Sequence, residues 1–223
     1  MIIRKATTPE DLEAVWHLTH DEYVRMGYSA PRPDGMLRHY HLDGIPQTTV
    51  WVAEDDQGQI VGTVSLTEDN PAGLHTDDDF KDVVNEIRRE CQASGKRLAA
   101  SWRIVTRANL HNELGVIMGL VAAIMDEVVA YPDLVSLYTF NPRHERFYRR
   151  MCGFERIAGP RPSRAVKDAP GILMRGDWEK IQPVWERTKA RRTSARLVPV
   201  AAYSEKAATP VNRLVAREKV AVN

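Results

Sequence analysis

The chain has 223 residues, of which 43% are hydrophobic and 27% charged, and its formal net charge is +1. This composition is typical of an ordinary folded protein and argues against collagen-like, membrane-spanning and wholly disordered chains. The length corresponds to one domain, or to one domain with an appendage.

Predicted elements of the N-terminal part alternate between strands and helices. A strand is predicted over residues 2–6, and a helix opened by a Thr-Pro pair is predicted over 8–26. After a loop rich in Pro, Gly and His, the segments 49–53 and 59–67 predict a hairpin around a polar turn.

The later elements predict a mixed sheet. The strand–helix–strand unit over 98–140 requires a right-handed parallel crossover, whereas the hairpin is antiparallel. The sequence therefore predicts an α/β protein of the α+β type, with helices on both faces of one mixed sheet. Further helices are predicted over 80–93, 114–131, 142–151 and 178–189, and further strands over 98–105, 134–140, 154–157 and 171–175.

The C-terminal segment is basic. Residues 178–223 carry ten Lys and Arg against four Asp and Glu. We expect a folded domain over 1–178 and a basic extension over 179–223 that is partly helical or disordered. A basic tail can bind nucleic acid or a membrane surface. This one lacks interleaved aromatic residues, so we expect no specific nucleic-acid partner.

Cysteine content and hydropathy indicate the compartment. Cys91 and Cys152 are too few for a disulfide framework or a thiolate zinc site. The N-terminal residues do not form a secretory signal pattern, and the longest nearly apolar run, 114–125, is too short to cross a bilayer. We expect a cytoplasmic protein without a transmembrane segment.

Motifs of several common sites are absent from the sequence. His17 and His20 lie on the first predicted helix and His39 and His41 in the following loop, but no partner completes a metal-ligand spacing. We therefore expect no metal. The phosphate loop, the dinucleotide fingerprint and the nucleophile elbow are also missing, which removes support for nucleotide hydrolysis, dinucleotide redox chemistry and common serine hydrolases.

The segment 134–154 is the most informative. A strand ends at Asn141, a helix bearing Tyr148 follows, and Gly153 turns the chain into the next strand. Here the sequence resembles the GNAT superfamily of N-acyltransferases. The resemblance implies a GNAT-like fold, in which a splayed central sheet opens a slot for the acyl donor.

Three further motifs resemble the long-chain N-acyl amino acid synthases of the FeeM type and the related acyl-homoserine lactone synthases. They are Trp102-Arg103-Ile104, the Arg-rich run 142–150, and the Gly-Pro-Arg-Pro and Asp-Ala-Pro-Gly segments at 159–162 and 168–171. The resemblance implies transfer of a long acyl group onto the amine of an amino acid or similar small amine.

The loop over 106–112 bears on the acyl donor. It contains no glycine, whereas the acetyl-coenzyme A branch carries a Gly-rich pyrophosphate loop at a helix N-terminus. We expect the donor to be an acyl carrier protein, through its 4′-phosphopantetheine thioester, with no permanently bound cofactor. Acyl-coenzyme A or acetyl-coenzyme A is the alternative donor.

A basic helix face would attract an acidic carrier protein. Solvated Arg side chains without a partner are the alternative interpretation. The face consists of Arg143, Arg146, Arg149 and Arg150.

The resemblance also implies site residues. Tyr148 occupies the superfamily's general-acid position and would protonate the departing sulfur, unless it only packs beside Phe147. Asn141, at the carboxyl end of its strand, would hold a pantetheine amide, or it closes an Asn-Pro turn. Arg103, charged in an apolar strand, needs an anionic partner, either a substrate carboxylate or an internal Asp or Glu. Trp102, expected on the opposite face, is a second substrate-binding candidate.

The base is less defined. His111 is the first candidate, because histidine exchanges a proton near neutral pH. Glu22, Glu54 or a base acting through water are alternatives, since the Glu that relatives often place before Arg103 is replaced by Ala-Ala-Ser at 99–101.

The helix predicted over 114–131 is apolar for its first three turns. Met118, Met125, Ala122 and Ala123 on the predicted helix could line an acyl tunnel or simply pack as core.

Three alternatives to acyl transfer from a carrier are a coenzyme A-dependent N-acetyltransferase, a non-catalytic acyl-sensing module, and signal synthesis from S-adenosylmethionine.

Overall fold

A computed structural model describes residues 1–194, with side chains described to residue 191. Most of the predicted basic extension, from residue 195 onwards, lies outside the described residues. No helix in the described part is long and apolar enough to cross a membrane. The described elements, in chain order, are β1 (Ile2–Lys5), α1 (Pro9–Arg25), β2 (Thr48–Glu54), β3 (Ile60–Glu68), α2 (Asp77–Ser94), β4 (Arg97–Thr106), α3 (Glu113–Val129), β5 (Leu134–Phe140), α4 (Glu145–Cys152), β6 (Glu155–Ser163), β7 (Ala169–Gly176) and α5 (Trp178–Ser194).

The strands form one mixed sheet in the order β1-β2-β3-β4-β5-β7-β6. β4 and β5 are parallel and are joined through α3, while every other neighbouring pair in this sheet is antiparallel. The predicted mixed α+β sheet with one parallel crossover is therefore confirmed.

Helices cover both faces of the sheet. Side chains alternate along β4, so each face of the sheet presents apolar residues to a helix. Leu98 and Ala100 pack under α2, beside its residues Val84 and Ile87. Ala99, between them, packs in the large core on the opposite face, which α3 and α5 complete. This alternation follows from the two-residue period of a strand.

Local sequence signals set the ends of α1 and α4. Thr8 Oγ accepts the Asp11 N–H at 3.1 Å and the Asp11 carboxylate accepts the Thr8 N–H at 3.2 Å, which closes the N-terminus of α1. Gly153, with a φ of +81°, ends α4 in the left-handed conformation that glycine adopts without strain.

Several predicted boundaries are wrong. α4 begins at Glu145 instead of 142, and α5 runs to Ser194 instead of 189. β6 runs to Ser163, six residues past its predicted end at 157, and includes a Pro-rich segment. β6 lies at the edge of the sheet. An edge strand tolerates Pro160 and Pro162, because it has no further strand to which their missing N–H groups would donate. α2 begins three residues before the predicted start at Phe80, whose φ and ψ of −131° and 26° interrupt the helix.

Helix α5 packs on the core. Ile181 and Trp185 are buried, and Trp185 Nε1 donates to Asp126 Oδ1 on α3 at 2.7 Å. The first turns beyond residue 178 therefore contact α3, while the division of the chain into a domain and an extension stays a prediction.

Candidate active site

The ends of β4 and β5 separate. Their pairing runs from Arg97 opposite Leu134 to Ser101 opposite Tyr138 and then stops, although β4 continues to Thr106. Beyond Ser101 the backbone of β4 has no ladder partner on β5. The splayed sheet implied by the resemblance is confirmed.

A cavity of about 400 Å³ opens at this separation. Tyr148, Asn141 and Arg103 all line it. Its apolar wall is formed by Val64, Ile117, Val121, Ile124 and Met125. A volume of this order suits a small-molecule ligand. Of the residues predicted to line an acyl tunnel, Met125 lies against the cavity, whereas Met118, Ala122 and Ala123 do not. All four pack in or against the large core.

A bulge in β4 shapes the cavity wall. Thr63 on β3 pairs with Val105 and Ser65 pairs with Trp102, which leaves two β4 residues opposite one on β3. The first of the two, Arg103, has a φ of +55°, which is rare for a residue with a side chain. The prediction that Trp102 and Arg103 lie on opposite faces is wrong, because the bulge places the Arg103 guanidinium over the Trp102 ring at 4.4 Å.

Arg103 has an internal acidic partner. Its Nη1 lies 2.8 Å from Asp43 Oδ1, so the two side chains form an ion pair. These two atoms do not meet the geometry of a hydrogen bond. Its Nη2 donates to Ser65 Oγ at 2.9 Å. The Asp43 Oδ2 also accepts the indole N–H of Trp16 at 3.0 Å and the backbone N–H of His39 at 2.8 Å. The internal pair is the alternative partner considered for Arg103, and binding of a substrate carboxylate stays a prediction.

Trp102 carries an aromatic cluster. It is 5% exposed, and its Nε1 donates to Thr67 Oγ1 at 2.9 Å. His75 stacks on it with ring centroids 5.4 Å apart and an interplanar angle of 6°. His39 meets both rings edge-on, at 4.9 Å and 5.1 Å. Burial holds the pKa of His39 at about 3 and lowers the pKa of His75, so both imidazoles are neutral near pH 7.

Tyr148 is 7% exposed and stacks on Phe140, with centroids 3.7 Å apart, while Phe147 meets it edge-on at 5.0 Å. Burial raises the pKa of its phenol well above the ordinary value. Tyr148 therefore keeps its proton at neutral pH, and its role as the proton donor stays a prediction.

The loop after β5 supplies polar groups to the cavity. Asn141 Oδ1 accepts the Arg143 N–H at 3.2 Å, which makes the Asn-Pro turn considered for it. The Arg143 Nε donates to His144 Nε2 at 2.9 Å, and burial together with this guanidinium lowers the pKa of His144. All three residues line the cavity.

The three bases named from the sequence lie elsewhere. His111 is exposed in the loop before α3 and does not line the cavity. The carboxylate of Glu22 accepts the Ala108 N–H at 2.9 Å and pairs with Arg25. Glu54 pairs with Arg4 at 2.7 Å, near the sheet edge.

Several cavity residues were not predicted. Tyr23, Tyr28 and His75 line the cavity, and Asp43 holds Arg103. They lie in helix α1, in the loop after it and in the polar segment before α2, where no sequence spacing relates them to β4. Within the described residues, no cluster of His, Cys, Asp and Glu is arranged to hold a metal ion.

The basic helix face is exposed. Arg146, Arg149 and Arg150 on α4 point to solvent, and none of them forms an ion pair within residues 1–191. Arg143, also exposed, joins this face to the cavity. Among the described side chains, Arg146, Arg149 and Arg150 thus place positive charge beside the cavity without an ion-pair partner.

A comparison with protein families gives a match to the model for "N-acyl amino acid synthase FeeM" over residues 14–177. No curated protein matches the chain. The matched region contains the bulge, the separated strand ends and α4.

Solved structures share the fold. FeeM, an N-acyl amino acid synthase from uncultured soil microbes, has a TM-score of 0.63 at 17% identity and covers 85% of this chain and 97% of its own. BjaI, a coenzyme A-dependent acyl-homoserine lactone synthase solved with SAM and isopentyl-CoA, has a TM-score of 0.61 at 16% identity and covers 98% and 99%. An acyl-CoA N-acyltransferase from Pseudomonas aeruginosa has a TM-score of 0.53 at 17% identity and covers 78% and 97%.

Proposed function

Because the chain belongs to the FeeM family of N-acyl amino acid synthases, and so is an N-acyltransferase, we propose that it joins a long acyl chain to the amine of an amino acid or similar small amine. The observation that carries this proposal is the cavity between the separated ends of β4 and β5, with Tyr148 on its wall.

The separated strands suit a thioester arm. Beyond Ser101, β4 still pairs with β3 but no longer with β5, so a backbone N–H that faces the β5 side is available to an amide of the arm or to the developing oxyanion. The apolar wall contributed by α3 suits an acyl chain. Attack by the amine forms the C–N bond and breaks the C–S bond, and the Tyr148 phenol supplies the proton that the departing sulfur takes up.

The start of α3 favours a carrier-bound donor over free coenzyme A. Asn112 Oδ1 accepts the Gly115 N–H at 3.2 Å, so a side chain already caps this helix. Glu113 places a carboxylate in the first turn. Because like charges repel, this carboxylate disfavours a pyrophosphate at the same helix end.

The basic helix face supplies the matching contact surface. Arg146, Arg149 and Arg150 are exposed and unpaired within the described residues, beside the cavity mouth at Arg143. An acidic carrier protein would be steered to this face and would present its pantetheine arm to the cavity.

The proposal is tested by incubating the protein with a long-chain acyl carrier protein, the same acyl-coenzyme A, or acetyl-coenzyme A, together with an amino acid mixture. Mass spectrometry of lipid extracts should detect N-acyl amino acids formed from the acyl carrier protein. Product formed only from acetyl-coenzyme A would reject the carrier donor. No amide product from any donor would overturn the proposed function.

Charge reversal separates carrier docking from chemistry. Arg146→Glu with Arg149→Glu should lower kcat/KM for the acyl carrier protein by about 10- to 10³-fold at low salt, and should leave acyl-coenzyme A turnover nearly unchanged. Lys81→Glu with Arg89→Glu, which changes the same net charge on the exposed side of α2, is the control. An equal loss in both variants would contradict docking at α4.

A further inference from the structure

His75 has the placement of a catalytic group. Its imidazole lines the same cavity as Tyr148, and it stacks flat on Trp102. No group in the described part of the chain hydrogen-bonds to either of its ring nitrogens. An unengaged imidazole on the wall of a reaction cavity is available to a substrate proton.

The segment that carries His75 is firmly held. Arg88 donates two hydrogen bonds to Asp69, at 2.8 and 2.9 Å, and one to Asp77 Oδ2 at 2.9 Å. The same Asp77 oxygen accepts the Leu74 N–H at 2.7 Å. Leu74 is 2% exposed. A side chain that must meet a reacting atom needs this kind of positioning.

Charged neighbours on several elements act on the imidazole. Burial and the positive charge of Arg103 favour its neutral form, and the carboxylates at the start of α2 favour the imidazolium. The titratable groups facing it are Asp78 and Asp79 of α2, Arg103 of β4, and His39 and His41 of the loop between α1 and β2. The ring is thus neutral before reaction and has two carboxylates to stabilise the charge it would acquire.

We propose that His75 is the catalytic base that takes the proton from the attacking amine, an inference that rests on the proposed function. As the C–N bond forms, the amine proton passes to the imidazole. The C–S bond breaks, and the sulfur takes the Tyr148 proton. The imidazolium then returns a proton to the phenolate through water, so that one amide and one thiol are produced and the protein is restored.

Substitution and rescue test this role. His75→Ala should lower the rate of amide formation by about 10²- to 10⁴-fold, the range for loss of a general base. Added imidazole should restore a large part of it. His75→Phe keeps an aromatic ring on Trp102, so it should be equally slow but should not respond to imidazole. His17→Gln, on α1 and away from the cavity, is the matched control.

The pH profile gives a second readout. In the natural protein, kcat/KM expressed per unprotonated amine should fall on the acid side, with an apparent pKa below the ordinary histidine value, because protonation removes the base. This acid limb should be absent in His75→Phe, a change that loss of packing alone would not produce. A variant that does not fold, judged by circular dichroism, is replaced by His75→Gln in the same assays.

The outcomes separate the two proposals. If the natural protein forms amide and His75→Phe forms it at the same rate, or if imidazole does not rescue His75→Ala, His75 is not the base although the proposed function stands. If the natural protein forms no amide from any donor, both proposals are overturned.

Discussion

The buried ion pair between Asp43 and Arg103 makes a quantitative prediction about stability. Their side chains are 3% and 1% exposed, and the Asp43 carboxylate also accepts N–H groups of Trp16 and His39. Asp43→Ala leaves the guanidinium and both donors without this partner in the interior. Removing one member of such a pair costs about 3–5 kcal/mol of the free energy of unfolding.

A surface pair of the same length provides the control. Arg97 Nε lies 2.8 Å from Asp133 Oδ2, and those side chains are 38% and 51% exposed. Asp133→Ala should cost less than about 1 kcal/mol, because water solvates the charge left behind. Because the two ion pairs have the same length, the difference in the free energy of unfolding between the two variants measures the effect of burial.

The assay is urea unfolding followed by tryptophan fluorescence. For a chain of this size, a loss of about 3–5 kcal/mol lowers Tm by roughly 6–20 °C. Adding Arg103→Met to Asp43→Ala should recover part of the loss, since the unpaired charge is removed as well. Equal costs for Asp43→Ala and Asp133→Ala, within about 0.5 kcal/mol, would refute the reasoning.

The remaining predictions concern the proton donor and the fold. Tyr148→Phe should slow acyl transfer by about 10²-fold or more without changing donor affinity. Tyr131→Phe, outside the cavity, should leave the rate unchanged. Equal rates for the two variants in stopped-flow assays would remove Tyr148 from the mechanism. Since burial raises the pKa of Tyr148, activity should persist above pH 8 and fall only as the phenol ionises. Trp185→Ala should cost about 3–5 kcal/mol in urea unfolding, and a loss under 1 kcal/mol would mean that α5 is not part of the folded core. Thr8→Ala should cost about 1 kcal/mol, and no change would contradict the capping geometry.

The sequence predicted the elements whose signals are local. The apolar period of α1, the turn of the β2–β3 hairpin and the apolar run of β5 each depend on neighbouring residues, and the structure places these elements within two residues of their predicted bounds. The strand predicted over 154–157 is shorter than β6 because proline-rich sequence is typical of loops. A strand is compatible with Pro160 and Pro162 only because β6 lies at the edge of the sheet.

The cavity required tertiary information. Strict alternation along β4 predicts that Arg103 and Trp102 lie on opposite faces of the sheet. The sequence of this apolar strand does not indicate the bulge that brings the Arg103 guanidinium over the Trp102 indole. Asp43 and His75 approach β4 from the loop after α1 and from the segment before α2, so no sequence spacing connects them. The positions of Tyr148 and Asn141 on the cavity wall agree with the strand–helix motif that suggested them, and their roles stay predictions.

The proposed function places the thioester arm in the space between the separated strand ends. Crystals grown with a non-hydrolysable acyl-pantetheine thioether test it most directly. The arm should lie between Val105 and Asn141, with its sulfur beside the Tyr148 hydroxyl and its acyl chain against Ile117 and Val121. An arm bound elsewhere, with β4 and β5 still separated and the cavity empty, would show that this cavity does not bind the thioester.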